Sequence, residues 1–453
     1  MIVSKFGGTS VADAAAIERT AEIVRGRLAQ RPVVVVSALA GVTNALLGIA
    51  RQASEGNFIS AVSSVQAVRE RHLQEVDALL AGSPELNEIG GEVSLIFDEL
   101  AQLCEALSVL GFITPRSLDA IAGMGERASS MLVAAAFRHR GMDAVHVDAR
   151  KVMLTDDTFG KAEPQPEAIA AAARSQITPL VLEGKVPVLG GYIGSSLDGI
   201  TTTLGRGGSD YSASLIGAAV QAESIEIWTD VDGMLTADPR VVPAARSIPQ
   251  IRFDEASELA SFGAKVLHPA TIAPAVRLGI PVWIYNSRNP GGHGTRITFD
   301  APRRAVTAIA AKRDTTILRV ATGKMLFQSG FLRRVFELFD EHAVSVDVVA
   351  TSEVSVSVTV DDTAPLDVLL GALRQIGDVS VARRRAIISV VGSGIADDAE
   401  AMGAVLRALG HRRIHMLSLS ASAINLTILL DDADTPDAIR ALHAALFEQA
   451  VGA

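Results

Sequence analysis

The chain opens Met1-Ile2-Val3-Ser4-Lys5-Phe6-Gly7-Gly8-Thr9-Ser10, a strand-like run that ends on a lysine and breaks into two glycines before a helix start near Asp13. A strand that turns through glycines into a helix is the building unit of an α/β layer, and its bare amides beside a cation suit a phosphate. On its own the same pattern also fits a plain turn joining a strand to a helix, and no Gly-Lys-Ser/Thr closes it as a Walker loop. Working outward, short apolar runs at residues 33–36, 144–147, 186–189, 225–228 and 282–285 read as further buried strands with helical patterns between them. Continuous apolar strands separated by helices predict an α/β layer with a largely parallel sheet over residues 1–300, interrupted by mostly helical sequence at about 60–140.

At 453 residues the chain exceeds one ordinary core, which stops growing near roughly 250–300 residues, so two or three domains are expected. A formal charge of −10 argues against nucleic acid or an anionic membrane as the main partner, since either needs a dominant basic surface. The short run Arg383-Arg384-Arg385 reads as a solvated face. The single cysteine, Cys104, excludes a disulfide framework within the chain, and the nine scattered histidines show no metal-ligand spacing, so no protein-held metal is expected. Met1 runs straight into a strand without a charged region or a long apolar core, and no apolar stretch reaches membrane-spanning length. A cytoplasmic location is the expectation.

After Pro302 the pattern shifts to shorter strands and helices, which marks a second unit beyond the turn-rich segment Asn286-Ser287-Arg288-Asn289-Pro290-Gly291-Gly292. That unit repeats internally. Val344-Ser345-Val346-Asp347 aligns with Ile414-His415-Met416-Leu417, and both copies run on into Asp361-Asp362 or Asp431-Asp432. Each copy reads as a βαββαβ module, the first over approximately residues 301–385 and the second over 386–453, with exchange of strands between them left open.

Two more segments of the first unit carry chemistry. Gly205-Arg206-Gly207-Gly208-Ser209-Asp210 precedes a helix expected at 211–221 and brings together amides, a cation and an acid, although a capped surface turn would look the same. Thr229-Asp230-Val231-Asp232-Gly233 follows a buried strand, where open α/β sheets bind ligands, and Asp238-Pro239-Arg240 adds a guanidinium.

These segments, together with Phe262-Gly263-Ala264-Lys265-Val266-Leu267-His268-Pro269, resemble the aspartate kinases of the amino-acid kinase family over nearly the whole chain, in particular the lysine-sensitive monofunctional type. The resemblance implies a three-layer α/β/α kinase domain followed by two tandem ferredoxin-like ACT modules. It implies a nucleotide site of Lys5, Gly7, Gly8, Ser10, Thr229, Asp230, Leu235, Arg240, Lys265 and Val266, with Asp210 orienting Lys5 and these two residues acting in catalysis. Leu235 stands where a tyrosine is common in the family. The substrate positions are Ser37, Thr43, Glu126, Arg206 and Ser209. Their chemistry suits a zwitterion, with Arg206 forking onto the α-carboxylate and Glu126 accepting from the ammonium group.

The implied reaction is ATP-dependent phosphorylation of the β-carboxylate of L-aspartate, with Mg²⁺ riding on the ATP phosphates. A β-carboxylate with a reference pKa near ~4 is already ionised at neutral pH, so no general base is required. In the first module Met325, Phe331, Leu332, Ser345, Val346, Asp347, Thr351, Ser352 and Glu353 resemble a lysine site, although Gln328 replaces a usual serine. Only this copy keeps the acids, because the second has Leu417 and Ala423 at the positions of Asp347 and Glu353. L-lysine is therefore the expected inhibitor, threonine or concerted inhibition the alternative, and a homodimer or higher oligomer through the ACT modules the expected assembly. A glutamate 5-kinase is the competing enzyme and a non-catalytic amino-acid sensor the competing class. Glu126 with the paired modules speaks against the first, and intact Lys5, Arg206, Asp210 and Lys265 against the second.

Overall fold

The computed structural model describes residues 1–205, 207–263, 269–323, 330–361 and 366–448. The opening strand β1 (Ile2–Phe6) is buried at every position and lies near the middle of an eight-stranded sheet. Its companions are β2 (Pro32–Val36), β3 (Ala144–His146), β5 (Val186–Gly190), β8 (Ser224–Thr229), β9 (Gln250–Ile251), β10 (Val282–Asn286) and β11 (Thr295–Ile297). Three short strands, β4 (Leu154–Thr155), β6 (Ile193–Ser196) and β7 (Thr201–Thr203), form a separate small sheet.

The large sheet runs β3-β5-β2-β1-β8-β10-β11-β9, and every pairing in it is parallel except β10 with β11. From β1 the chain passes to β2 and out to the edge strand β3, β5 then fills the gap between those two, and the chain later returns to place β8 on the other side of β1. Strand order therefore reverses around β1, and the carboxyl ends of β1 and β8 flank the crevice where such sheets bind ligands. β2 consists of Pro-Val-Val-Val-Val, its proline at the strand's first position, where its missing N–H is tolerated.

The central strands are held by one buried acid. Glu226 in β8 accepts from Ser4 Oγ at 3.1 Å, from Trp228 Nε1 at 2.9 Å and from Arg27 Nε at 2.9 Å, so its charge is both paired and hydrogen-bonded. Helices Phe58–Leu80, Leu86–Leu110, Pro115–Ala122 and Met124–His139 occupy the stretch read as helical. The last of them buries almost its whole length, because its Gly, Ala and Ser positions let neighbouring backbone approach closely. Cys104 is buried in the second, and burial pushes its thiol up to about 11.

The chain divides into two units. The second comprises Pro302–Ala453 together with Leu235–Ile248 and Asp254–Lys265, two segments that the sequence assigned to the first domain. Its six strands are β12 (Ala308–Ala321), β13 (Val349–Thr351), β14 (Ser355–Asp361), β15 (Asp378–Val391), β16 (Met416–Leu419) and β17 (Asn425–Asp431), in one sheet ordered β13-β14-β12-β15-β17-β16.

The register shows how the two modules share strands. β12 and β15 are each long enough to serve both modules, with a register break between Lys312 and Thr315. Residues 315–321 and 378–382 complete the first module around helices Phe331–Glu341 and Leu366–Leu373. Residues 308–312 pair with 387–391 and supply the outer strand of the second module, which the chain after β17 does not contain among the described residues. The first module is thus inserted into the second. The turn that permits this falls at Asp314 and Arg384, both with positive φ. No helix among the described residues is long and apolar enough to cross a membrane.

Candidate active site

Lys5 sits at the carboxyl end of β1, only 8 % exposed, and its Nζ lies 2.7 Å from Asp210 Oδ1. A cation this buried needs a counter-charge, and Asp210 supplies it as an ion pair rather than as a well-aligned hydrogen bond. Asp210 occupies the first turn of helix Gly208–Ala219, which starts three residues earlier than the sequence suggested. The reason is Gly207, whose φ of +73° turns the chain directly into the helix, so that Ser209 and Asp210 are helical residues instead of loop residues.

Gly7 and Gly8 follow β1 without side chains to block the lysine. The Gly7 amide donates to Trp228 O at 3.1 Å, and a Cβ on Gly7 would lie 3.5 Å from Lys5 Nζ. A Cβ on Gly8 would meet Ala38 O at 3.2 Å. Ser10 Oγ donates to Ser287 Oγ at 2.8 Å, and Ser287 Oγ in turn donates to Thr229 O at 3.1 Å. This chain ties the first loop to Thr229, while Asp230 beside it stays exposed. Ser287 was not among the residues singled out from the sequence, since a serine in a turn-rich segment carries no distinguishing signal.

Ser37, just past β2, donates from Oγ to Ser209 Oγ at 2.9 Å, and its carbonyl accepts from Ser129 Oγ at 2.8 Å. Glu126 lies in the first turn of helix Met124–His139, 3 % exposed, taking backbone hydrogen bonds from Ala38 and from its own amide. Its Oε2 is buried with no partner among the described residues. Loss of hydration pushes its carboxyl up to about 8, against those backbone donors, which act the other way. Thr43 is half-buried in the first turn of helix Val42–Ser54, which follows Gly41 at φ +80°.

Glycines hold these groups close. A Cβ on Gly190 would sit 3.1 Å from Glu126 Cβ, and one on Gly191 would sit 2.9 Å from both Cα and Cβ of Ser209. Because the obstacle at Gly191 is partly backbone, Gly191→Ala is expected to displace Ser209 from Ser37, raising KM for the acceptor substrate about tenfold and lowering stability by about 1–3 kcal/mol. Steady-state kinetics with a thermal melt would check both.

A second buried acid was missed by sequence reading. Asp119 accepts from Gly160 N at 2.8 Å, Thr203 N at 3.0 Å and Thr203 Oγ1 at 2.7 Å, which fixes β7 and hence the start of the Gly205 loop. The only hint was an acid on the apolar face of a short helix.

Other expected residues are not gathered here. Arg206, Lys265, Val266 and Met325 lie outside the described residues. Leu235 and Arg240 belong to the second unit, where Leu235 bridges Ser247 and Arg240, 87 % exposed at its side chain, pairs with Asp238 through Nη2 to Oδ2 at 2.7 Å. In the first module Phe331 and Leu332 open their helix, Leu332 exposed. Ser345, Thr351, Ser352 and Glu353 are exposed and Val346 is half-buried. Asp347 is engaged: Lys312 Nζ lies 2.8 Å from both its carboxylate oxygens and 2.6 Å from Asp361. No His/Cys/Asp/Glu cluster able to hold a metal ion occurs among the described residues.

Residues 1–286 match the Amino acid kinase family and residues 388–446 match the ACT domain. The lysine-sensitive aspartokinase 3 of Escherichia coli is 38 % identical over 99 % of both chains, and the chloroplastic aspartokinase 2 of Arabidopsis thaliana is 37 % identical over 98 % of this chain and 84 % of that one. Among solved structures, E. coli aspartokinase III with lysine and aspartate in its T-state superposes with a TM-score of 0.83 over 99 % of each chain. The same enzyme with aspartate and ADP in its R-state gives a TM-score of 0.83 over 99 % of this chain and 100 % of that one.

Proposed function

The chain belongs to the amino acid kinase family and within it to the aspartokinases, and from that premise we propose how its residues phosphorylate L-aspartate. It is an aspartate kinase. The β-carboxylate oxygen of L-aspartate attacks the γ-phosphorus of ATP, the bond from that phosphorus to the bridging oxygen breaks, and ADP and 4-phospho-L-aspartate result. This is the entry step of lysine, threonine and methionine biosynthesis, carried out in the cytoplasm.

The observation that carries this reading is a buried, acid-oriented lysine followed by two bare glycines, together with a buried carboxylate oxygen of Glu126 that has no partner among the described residues. Two anions must approach each other, and Lys5 offsets that repulsion as charge spreads over the transferring group. Asp210 holds the ammonium in place. Gly7, Gly8 and Ser10 bring backbone to the phosphates, and Thr229, Asp230, Arg240, Lys265 and Val266 bind the nucleotide, with Leu235 in place of an aromatic contact. Ser37, Thr43, Arg206 and Ser209 bind aspartate, while Glu126 takes its ammonium group. Mg²⁺ riding on the nucleotide phosphates would supply further neutralisation. A hydroxylamine-trapped assay with ATP and Mg²⁺ should give the aspartyl hydroxamate and none from glutamate. Folded protein that forms no aspartyl hydroxamate would overturn the reading.

We further propose L-lysine as the feedback inhibitor, bound at the first module, with a homodimer formed through the ACT modules. Support comes from the relative crystallised with lysine and from the exposed apolar residues of both edge strands, Val349 on β13 and Leu417 and Leu419 on β16. Lysine alone should inhibit where threonine alone does not. Because Asp347 is an exposed acid of the first module that already faces an ammonium group, that of Lys312 at 2.8 Å, Asp347→Ala is expected to raise the half-inhibiting lysine concentration at least about tenfold without moving KM for aspartate.

A further inference from the structure

Helices Phe58–Leu80 and Leu86–Leu110 supply none of the proposed substrate contacts, yet the first of them grips two of the loops that do. Arg71, half-buried near its middle, donates from Nη1 to Ala40 O at 2.8 Å and from Nη2 to Ala12 O at 3.0 Å. Ala40 lies in the loop after β2, between Ser37 and Thr43. Ala12 lies in the loop after β1, between Ser10 and the start of helix Ala14–Arg25. Both carbonyls belong to turns, where a side-chain donor takes the place of a helix or strand partner. Glu75, one turn further along the same helix, accepts from Ala14 N at 2.6 Å, which gives the loop after β1 a second hold.

The two loops pass close to each other. A Cβ on Gly8 would meet Ala38 O at 3.2 Å and Ala40 Cα at 3.7 Å, so the bare glycine lets them approach and the Arg71 fork fixes how far apart they stand. The helix that carries the fork is firmly seated. Val65, Val68, His72, Val76 and Leu79 are buried along it, and the His72 ring packs against Phe97 of the next helix with centroids 4.8 Å apart.

A guanidinium is planar and keeps its N–H groups in a rigid fork, so two carbonyls bound to its two terminal nitrogens are held at a set separation, and hydrogen bonds from a charged donor are the stronger kind. Phosphoryl transfer needs the attacking oxygen in line with the phosphorus, and a misplacement of about 1 Å can cost roughly a hundredfold in rate.

We infer that Arg71 is a positioning residue for the reaction, setting the spacing between the loop that takes the ATP phosphates and the loop that takes aspartate. The inference rests on the proposed assignment of Gly7, Gly8 and Ser10 to the phosphates and of Ser37 and Thr43 to aspartate. It requires that loss of the fork slow transfer while each substrate still binds.

Arg71→Met keeps the aliphatic stem and removes the fork. In the intact enzyme it should lower kcat at least about thirtyfold, with Kd for ADP by titration calorimetry and KM for aspartate each within about threefold. Arg71→Lys keeps the charge but offers one nitrogen in place of two, so it should still lower kcat at least about fivefold, and it covers the case in which Arg71→Met does not fold. Folded variants with a lower melting temperature and kcat unchanged would show a brace for stability alone and overturn the inference. So would a loss that falls on KM or Kd and leaves kcat unchanged. Lys5→Ala separates the two layers of argument. If it loses turnover while the Arg71 variants keep theirs, the spacing role alone fails; if Lys5→Ala also keeps turnover, the reading of the site fails and the spacing role with it.

Discussion

Lys5→Ala is expected to lower kcat by about a thousandfold or more, the size of effect seen when one group aimed at developing transition-state charge is removed. Lys5 is nearly buried, already oriented by Asp210 at 2.7 Å, and followed closely by Gly7, which adds no side chain beside its ammonium. Its charge is therefore set in place before the substrates arrive and costs no reorganisation during transfer. The loss should fall on kcat more than on KM for aspartate, because Glu126 and the Ser37–Ser209 pair remain. The variant leaves Asp210 with an unbalanced, partly buried charge, so some stability is lost, and Lys5→Ala combined with Asp210→Asn should recover part of it without recovering turnover. Hydroxamate formation and thermal melts on the two variants check this. Near-normal turnover in folded Lys5→Ala would remove the central element of the mechanism.

Glu126→Gln is expected to raise KM for aspartate about a hundredfold and to abolish its pH dependence between pH 6 and 8. In the free protein the Glu126 carboxyl ionises near 8 and its Oε2 has no partner. Binding an ammonium group favours the charged carboxylate, so below pH 8 aspartate binding must expel a proton. KM for aspartate should accordingly fall as pH rises, by close to tenfold per unit from pH 6 to 7, and level off above 8. Stability runs the opposite way. A carboxyl raised from 4.5 to about 8 contributes stability that is fully present below 4.5 and is lost as pH rises through 8. Glu126→Gln, always neutral, should therefore melt higher than the parent at pH 8.5 and at nearly the same temperature at pH 5. A flat KM profile for the parent, or a variant less stable at high pH, would show that Glu126 is not held for the substrate's ammonium.

Much of this site could be read in the sequence because its parts are local. Lys5 followed by Gly7 and Gly8, or Ser209-Asp210 after Gly207-Gly208, are arrangements in which a strand end, a turn and a helix start are consecutive residues. Strand positions such as 33–36 and 225–228 were equally plain, since a strand buried on both faces must be apolar throughout. Ser287 and Asp119 were not legible. Each matters only through partners more than 40 positions away, Ser10 and Thr229 for one and Gly160 and Thr203 for the other, and no local pattern distinguishes them from ordinary turn or helix residues.

The second unit shows the same division. Repeat spacing revealed two modules, and a comparison of Asp347 and Glu353 with Leu417 and Ala423 showed that they differ. The sequence placed the module boundary only approximately and left strand exchange open, and the register of β12 shows which residues are exchanged: residues 308–312 complete the second module from before the first begins. A helix that has one apolar face needs no particular strand beside it, so covalent order says nothing about which distant strand fills an open edge.

By itself, then, the sequence determined the α/β architecture, the lysine and glycines that end its first strand, the paired modules and the membership of the aspartokinases, because each is written in residues that are neighbours along the chain. Only the tertiary structure decided that the Glu126 carboxyl is buried, with one oxygen lacking a partner among the described residues and its pKa raised by lost hydration, and that Leu235–Ile248 and Asp254–Lys265 pack with the second unit; it also gave the Asp210–Lys5 pairing, expected from the resemblance, its distance of 2.7 Å. Ion pairing, desolvation and burial depend on distances in space, and those exist only once the chain has folded.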